Sequence, residues 1–255
     1  MDKDTFGGAH KPSSYSFCMN EGEQVARYVF CQPYVSSKDT LDLGCGYGHG
    51  TAFLANHAKS VVGADTDERA IVYAKMNYTR PNLKFVLLNK SKFDDATFDI
   101  IISLEVIEHV VDPRSFLSEA SRILRNGGQI ILSTPNKLFT EKFYKNGKSL
   151  NPYHLHEFYP DELRRLLKQY FNNVIEFAQV WPDGSDVQIH GELIASCKIP
   201  KQLRAMVPDQ IKNVYLRLKG LPPISDRRGK WRDYPILQVD QINKTFPVLV
   251  YQCIK

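Results

Sequence analysis

Three short stretches of this 255-residue chain combine residue types and spacings that could do chemistry. The first is Asp42-Leu43-Gly44-Cys45-Gly46-Tyr47-Gly48, an acid followed by three glycines at alternate positions. Glycines there let a backbone take positive φ and approach a ligand closely. A nicotinamide fingerprint would need a third glycine where His49 stands, and a phosphate loop would need G-K-[ST]; neither is present. An acid two residues ahead of the glycines repels a pyrophosphate but suits an ammonium group. Asp65 lies 21 residues beyond Gly44, at the end of the apolar run Ser60 to Ala64, where a carboxylate can accept from a ribose diol.

The second stretch is Glu105, Glu108 and His109, behind Asp99 and its three isoleucines. If a helix starts at Glu105, their spacing puts all three on one face. Three readings stay open. His109 or Glu105 serves as general base or polar clamp for an acceptor hydroxyl; the trio binds a divalent metal, with His154 or His156 as a fourth ligand; or the acids favour a helix N-terminus and His109 packs under a loop. No residue is assigned as a metal ligand. The third stretch, Asn151 to Tyr159 (NPYHLHEFY), is richer in polar and aromatic groups than a connector requires. His154 and His156 alternate, so an extended loop points them oppositely, and His154 is the candidate for acceptor contact or proton removal.

The elements that must position these groups follow from periodicity. Short apolar runs at Thr40 to Leu43, Ser60 to Ala64, Lys84 to Leu88, Phe98 to Leu104, Gln129 to Ser133, Val174 to Phe177 and Val248 to Cys253 read as strands. Between them lie helical patterns: one after Asn20 closed by Pro33, one over Ala52 to Ala58, one capped by Thr66 and running to Asn77. A further helix starts at Asp112-Pro113 and ends at Gly127-Gly128, and another starts at Pro160. Strands alternating with amphipathic helices imply a mainly parallel sheet covered on both faces. Ligands of such sheets bind outside the carboxyl ends of the strands, where every motif above falls.

Five scattered cysteines with no C-x-x-C pair argue against a disulfide framework or a structural zinc site. No apolar run is long enough to span a bilayer and no basic-then-apolar leader opens the chain, so it reads as cytoplasmic. The net charge of +5 is uneven: ten basic and only two acidic residues fall between Lys198 and Arg232, giving that stretch +8. Within it, apolar residues from Leu203 to Leu218 recur at spacings of three and four around Pro208. The pattern is an amphipathic helical insertion that could attract an anionic acceptor or a membrane surface. A nucleic-acid substrate ranks lower, because no nucleic-acid module is visible.

The strings LDLGCGYGHG, VVGADTDERAIVYAK, FDIIISLEVIEHVVDPRSFLSEASRILRNGGQIILSTPN and NPYHLHEFYPDEL resemble the class I S-adenosylmethionine-dependent methyltransferases. Among these they are similar to a polysaccharide-biosynthesis branch related to the ubiquinone-type O-methyltransferases. The resemblance covers Arg27 to Phe177 and returns at the last strand. It implies an α/β, Rossmann-like, seven-stranded mainly parallel sheet with an antiparallel last strand, plus the helical insertion. One domain is expected over 1–255: an N-terminal arm and helix (1–38), a cofactor-binding core (39–180), the insertion (196–235) and the final strand (246–255). S-adenosylmethionine is the implied cofactor and S-adenosylhomocysteine the product. By the same resemblance Gly44, Gly46 and Gly48 line the methionine portion and Asp65 binds the ribose. Asp42, Thr66 and Leu104 complete that side, and Asn89 and Lys90 meet the adenine. Asn89 stands where the family usually has an aspartate, in a loop two residues shorter. An asparagine carbonyl still accepts from the adenine amine. The implied activity is methyl transfer to an oxygen of a small polar acceptor, a saccharide or a nucleotide- or lipid-linked glycan, with His109, His154 and Glu105 as catalytic candidates. The rivals are a quinone- or phenol-type O-methyltransferase, a metal-assisted RNA methyltransferase, and a protein that binds S-adenosylmethionine for regulation without turnover.

Overall fold

The computed structural model describes residues 21–143, 149, 151, 153–179, 236–239 and 246–255. The arm before residue 20 and the basic insertion at 196–235, with its acceptor and membrane expectations, lie outside the described residues. The chain divides into two compact units. One holds Met1–Gly8, Arg27–Val180 and Ile236–Lys255; the other holds Ala9–Ala26 and Trp181–Pro235, of which Glu21–Ala26 is described.

In chain order the described elements are α1 (Glu21–Val35), β1 (Asp39–Leu43), α2 (His49–Leu54), β2 (Ser60–Asp65), α3 (Glu68–Asn77), β3 (Leu83–Leu87) and β4 (Phe98–Leu104). They continue with α4 (Pro113–Ile123), β5 (Leu124–Pro135), α5 (Lys137–Thr140), α6 (Pro160–Leu167), β6 (Asn173–Gln179), β7 (Ile236–Gln238) and β8 (Val248–Ile254). The sheet order is β3-β2-β1-β4-β5-β8-β6-β7. The first five strands pair in parallel, and β8 runs antiparallel to β5 and β6. The antiparallel last strand is as expected, but the strands among the described residues number eight rather than seven. The extra one, β7, is three residues long and pairs with the edge strand β6, too short to show a period in sequence.

Alternation along β1 and β4 sorts the two faces. Leu41, Leu43 and Ile101 join Leu117 and Ile123 of α4 and Leu163 and Leu167 of α6. Ile100 and Ile102 face the other way, onto Phe53 and Leu54 of α2 and Cys31 and Val35 of α1. The three isoleucines are wholly buried; each such side chain stabilises the fold by roughly 1.5–3 kcal/mol.

Several local expectations are corrected. The first helix passes through Pro33 to Val35, because Cys31 and Val35 on its last turns are wholly buried against the sheet. Asp67, not Thr66, caps α3, accepting from the backbone N–H groups of Arg69 and Ala70. Helix α2 starts at His49 and ends at Leu54, earlier than its apolar pattern suggests. Asp112 caps α4 as expected, but the helix stops at Ile123. The Gly127-Gly128 pair instead sits in a register shift of β5, where Phe98 pairs with Leu124 but Ile100 with Gln129. Gly127 takes φ 74° there.

Candidate active site

The carboxyl ends of β1, β2 and β4 bring two of the sequence clusters together. After β1 the chain turns through Gly44, Gly46 and Gly48 at φ 83°, 52° and 84°. The turn is tied to β2 by the N–H groups of Gly44 and Cys45, which both donate to the carbonyl of Ala64 at 2.8 and 3.1 Å. Gly46 N–H donates to Asp65 Oδ2 at 2.8 Å, and Asp67 N–H donates to Asp65 Oδ1 at 2.9 Å. Asp65 is therefore held at the lip of the turn, with lone pairs remaining on both oxygens. A Cβ on Gly46 would meet nothing within 4 Å, so this glycine faces open space. A Cβ on Gly44 would lie 2.3 Å from Val106 Cγ2, which packs the segment after β4 directly on the turn.

Asp42 does not lie on the ligand side. The period of the strand sends Leu41 and Leu43 to one face and Asp42 to the other, where it is 1% exposed. It accepts from Thr51 Oγ1 at 2.6 Å and from the Tyr28 hydroxyl at 3.3 Å. Burial pushes its pKa up to about 7 against those two hydrogen bonds, with the nearby Asp65 charge adding to the rise. Asp42 thus fastens β1 to α2 and α1 beneath the turn. Tyr28 and Thr51 were not picked out in sequence; a threonine on the buried face of α2, nine residues after Asp42, was the available signal.

Thr66 is exposed beyond β2. Asn89 and Lys90 form an exposed 3₁₀ turn after β3, where the Lys90 ammonium meets Glu68 at 3.2 Å. Leu104 is half-buried at the end of β4.

Beyond Leu104 no α-helix forms. Glu105 takes φ 57°, and only a 3₁₀ turn, Ile107–His109, follows. Glu105 and Glu108 therefore do not share a helix face. The positive φ of a non-glycine residue costs roughly 1 kcal/mol or more and is held here from both sides. Glu105 N–H donates to the carbonyl of Ser133 at 3.0 Å, and Ser133 Oγ donates to Glu105 Oε1 at 2.7 Å.

Glu108 is wholly buried. Its Oε2 accepts from Thr134 Oγ1 at 3.0 Å, while Oε1 has no hydrogen-bond partner. Burial first, and then the Glu105 charge, holds its pKa well above the ordinary carboxylate range. Its carbonyl accepts from the N–H groups of Leu155 and His156, which docks the histidine loop beside it. His109 Nδ1–H donates to the Tyr153 carbonyl at 2.9 Å, and its Nε2 lies 3.9 Å from Glu108 Oε1. The His154 ring stands edge-on to His109 at 5.0 Å. One donor atom each of Glu108, His109 and His154 lies within 4.8 Å of the others. His156 points elsewhere, to the carbonyl of Val111. The cluster is thus Glu108, His109 and His154, with Glu105 turned toward Ser133.

Residues 41–132 match the methyltransferase domain family. A Mycolicibacterium smegmatis protein named "Probable S-adenosylmethionine-dependent methyltransferase" is 35% identical over 135 residues, covering 52% of this chain and 51% of that protein. Residues 41–132 are thus a class I S-adenosylmethionine-dependent methyltransferase domain. A ubiquinone biosynthesis O-methyltransferase of Coxiella burnetii is 32% identical over 127 residues, covering 46% of this chain and 52% of the relative. The chain spans about half the length of the curated relatives it matches. A solved S-adenosylmethionine-dependent methyltransferase of Thermotoga maritima superposes with a TM-score of 0.59 at 16% identity, covering 92% of this chain and 91% of that one. That likeness establishes the fold.

The cofactor of such a domain is S-adenosylmethionine, and the described residues fit it. Gly46 leaves open space at the turn, the Asp65 carboxylate keeps lone pairs of the kind a ribose diol donates to, and no P-loop lysine stands at the turn. None of the described helices is long and apolar enough to cross a membrane.

Proposed function

We propose that this methyltransferase domain transfers a methyl group to an oxygen of a small polar acceptor, a saccharide or a nucleotide- or lipid-linked glycan. S-adenosylmethionine supplies the methyl already activated on a sulfonium. The residues of the chain are left with positioning and with the proton. Gly44, Gly46, Gly48 and Asp65 hold the donor, with Thr66, Asn89, Lys90 and Leu104 along its adenosine side and Asp42 fixing the turn from below. We read 39–180 with the final strand as the cofactor-binding core. The observation that carries the acceptor chemistry is the histidine pair, His109 and His154, with rings 5.0 Å apart at the end of β4. A hydroxyl is a poor nucleophile, and an imidazole there can take its proton as the new C–O bond forms. Glu105, fixed on Ser133, is placed to clamp the acceptor.

A second reading is favoured by one observation, the unpartnered buried Oε1 of Glu108 beside the two histidines. A divalent cation held by Glu108, His109 and His154 would satisfy it with a nitrogen and oxygen donor set. Such a cation would supply Lewis-acid chemistry, lowering the pKa of an acceptor hydroxyl so that its proton would pass to water rather than to an imidazole.

Both readings meet the same experiment. Methyl-labelled S-adenosylmethionine is offered with nucleotide sugars, glycans, phenols and RNA, to the wild type and to His154→Ala, with and without a chelator. Label on a saccharide oxygen, unaffected by chelator and reduced about 100-fold in kcat by the variant, is the expected result. Turnover lost with chelator and restored by Mn²⁺ would shift the assignment to the metal. Label only on phenols or RNA would reject the saccharide, and no homocysteine-side product with any acceptor would reject methyl transfer.

A further inference from the structure

The loop that carries His154 also carries Glu157, which the sequence offered no reason to single out. Its side chain is 5% exposed, and donors of at least three described residues meet its carboxylate. Thr140 Oγ1 donates to Oε2 at 2.5 Å, Ser149 Oγ donates to Oε1, and His154 Nδ1 lies 2.9 Å from Oε1. These partners come from three places: the end of α5, the approach to the histidine loop, and the loop itself. An exposed ion pair would not need such a cage, and loop carboxylates in water rarely keep one.

We propose that Glu157 is a positioning residue for the reaction: it fixes His154 as the Nδ1–H tautomer and so reserves Nε2 for the proton of the acceptor. An ionised carboxylate can only accept, so the shared contact requires the proton on Nδ1. Neutral imidazoles left to themselves favour the proton on Nε2, which would leave His154 unable to accept through that nitrogen. The hydroxyls of Thr140 and Ser149 both donate to the carboxylate and hold it in place beside the ring. The fixed carboxylate then sets the ring orientation and stabilises the imidazolium formed when the proton arrives, the role of the third member in nucleophile–base–acid arrangements. The groups facing His154 are Glu157 from its own loop and His109 and Glu108 from the 3₁₀ turn after β4. Of these, Glu157 makes the hydrogen bond to the ring.

The inference rests on His154 as proton acceptor, so its test separates the two ideas. The tautomer of His154 is read by ¹⁵N–¹H correlation of the histidine side chains above their titration range. Its signals are identified as those missing from His154→Gln. Wild type should show Nδ1 protonated. Glu157→Ala and Glu157→Leu, the latter filling the space of the lost side chain, should both move the proton to Nε2. Binding of S-adenosylhomocysteine unchanged within about twofold shows that the variants keep the fold. In turnover these variants should lower kcat about tenfold with little change in the KM for the donor. A wild-type ring protonated on Nε2, or variants that keep the Nδ1–H form, would overturn the pairing whatever the turnover. If the tautomer follows Glu157 while His154→Ala turns over at the wild-type rate, the proton-acceptor reading fails, and the positioning role falls with it.

Discussion

Gly44→Ala is expected to abolish cofactor binding and to destabilise the chain. Two effects add at this position. The residue sits at φ 83°, where an L side chain is strained, and the new Cβ would arrive 2.3 Å from Val106 Cγ2. Val106 cannot retreat cheaply, since it lies between Glu105, pinned on Ser133, and the buried Ile107. Something must move, and the turn yields at the cost of the hydrogen bonds that tie it to β2. Strain of this kind costs about 2–4 kcal/mol, and a turn displaced by an ångström no longer presents Gly46 and Asp65 together. The affinity for S-adenosylhomocysteine should fall more than about 100-fold, or roughly 2.7 kcal/mol, with the denaturant midpoint lowered in parallel. Calorimetric titration and urea unfolding check both. An alanine variant with wild-type affinity would mean that the turn does not carry the cofactor.

The second large effect is a dependence of stability on pH, centred on Asp42. In the folded chain this carboxyl holds its proton up to about 7, and burial is the main cause. In the unfolded chain it ionises in the ordinary carboxylate range, so between these two values the folded state binds the extra proton. Stability from this group is therefore full below the unfolded pKa and is lost as pH rises to about 7. The loss at high pH is on the order of 4 kcal/mol, at about 1.36 kcal/mol per unit of pKa difference. Asp42→Asn keeps an oxygen for the Thr51 hydroxyl and has no proton to lose. Relative to wild type, the variant should gain stability steadily from pH 4 to pH 8 and level off above. The difference between the two unfolding free energies removes the parallel contribution of Glu108, which both proteins share. Curves that stay parallel across this range would show that Asp42 ionises freely in the folded state.

The parts of this molecule that were legible in sequence are those governed by period and by capping chemistry. Asp99 followed by three isoleucines is a buried parallel strand in both views. Asp112-Pro113 starts a helix because the side chain accepts from the N–H groups of Arg114 and Ser115 and the proline gives up an N–H that would be unpaired. The glycines at 44, 46 and 48 announced positive φ and took it. What was not legible depends on contacts distant in sequence. The positive φ of Glu105 is enforced by Ser133 on the next strand, so the spacing of the acids and histidine could not reveal that no helix forms. Gly127-Gly128 looks like a helix stop but sits in a register shift between β4 and β5, strands 20 residues and more apart in sequence. The direction of Asp42 was available from the alternation of β1, yet its burial follows from Tyr28, in a helix whose closure appeared to be Pro33. Glu157 acquired meaning from Thr140 and Ser149 converging on it.

We propose that the glycine turn and Asp65 together form the S-adenosylmethionine site, and every other assignment depends on it. Titration calorimetry of S-adenosylhomocysteine into the wild type and into Asp65→Ala tests it without knowledge of the acceptor. Saturable binding at one site per chain, weakened about 100-fold by the variant through loss of charge-assisted hydrogen bonds, with no binding of NAD, is the expected result. No saturable binding, equal affinity for NAD, or a variant that binds as tightly as wild type would contradict it.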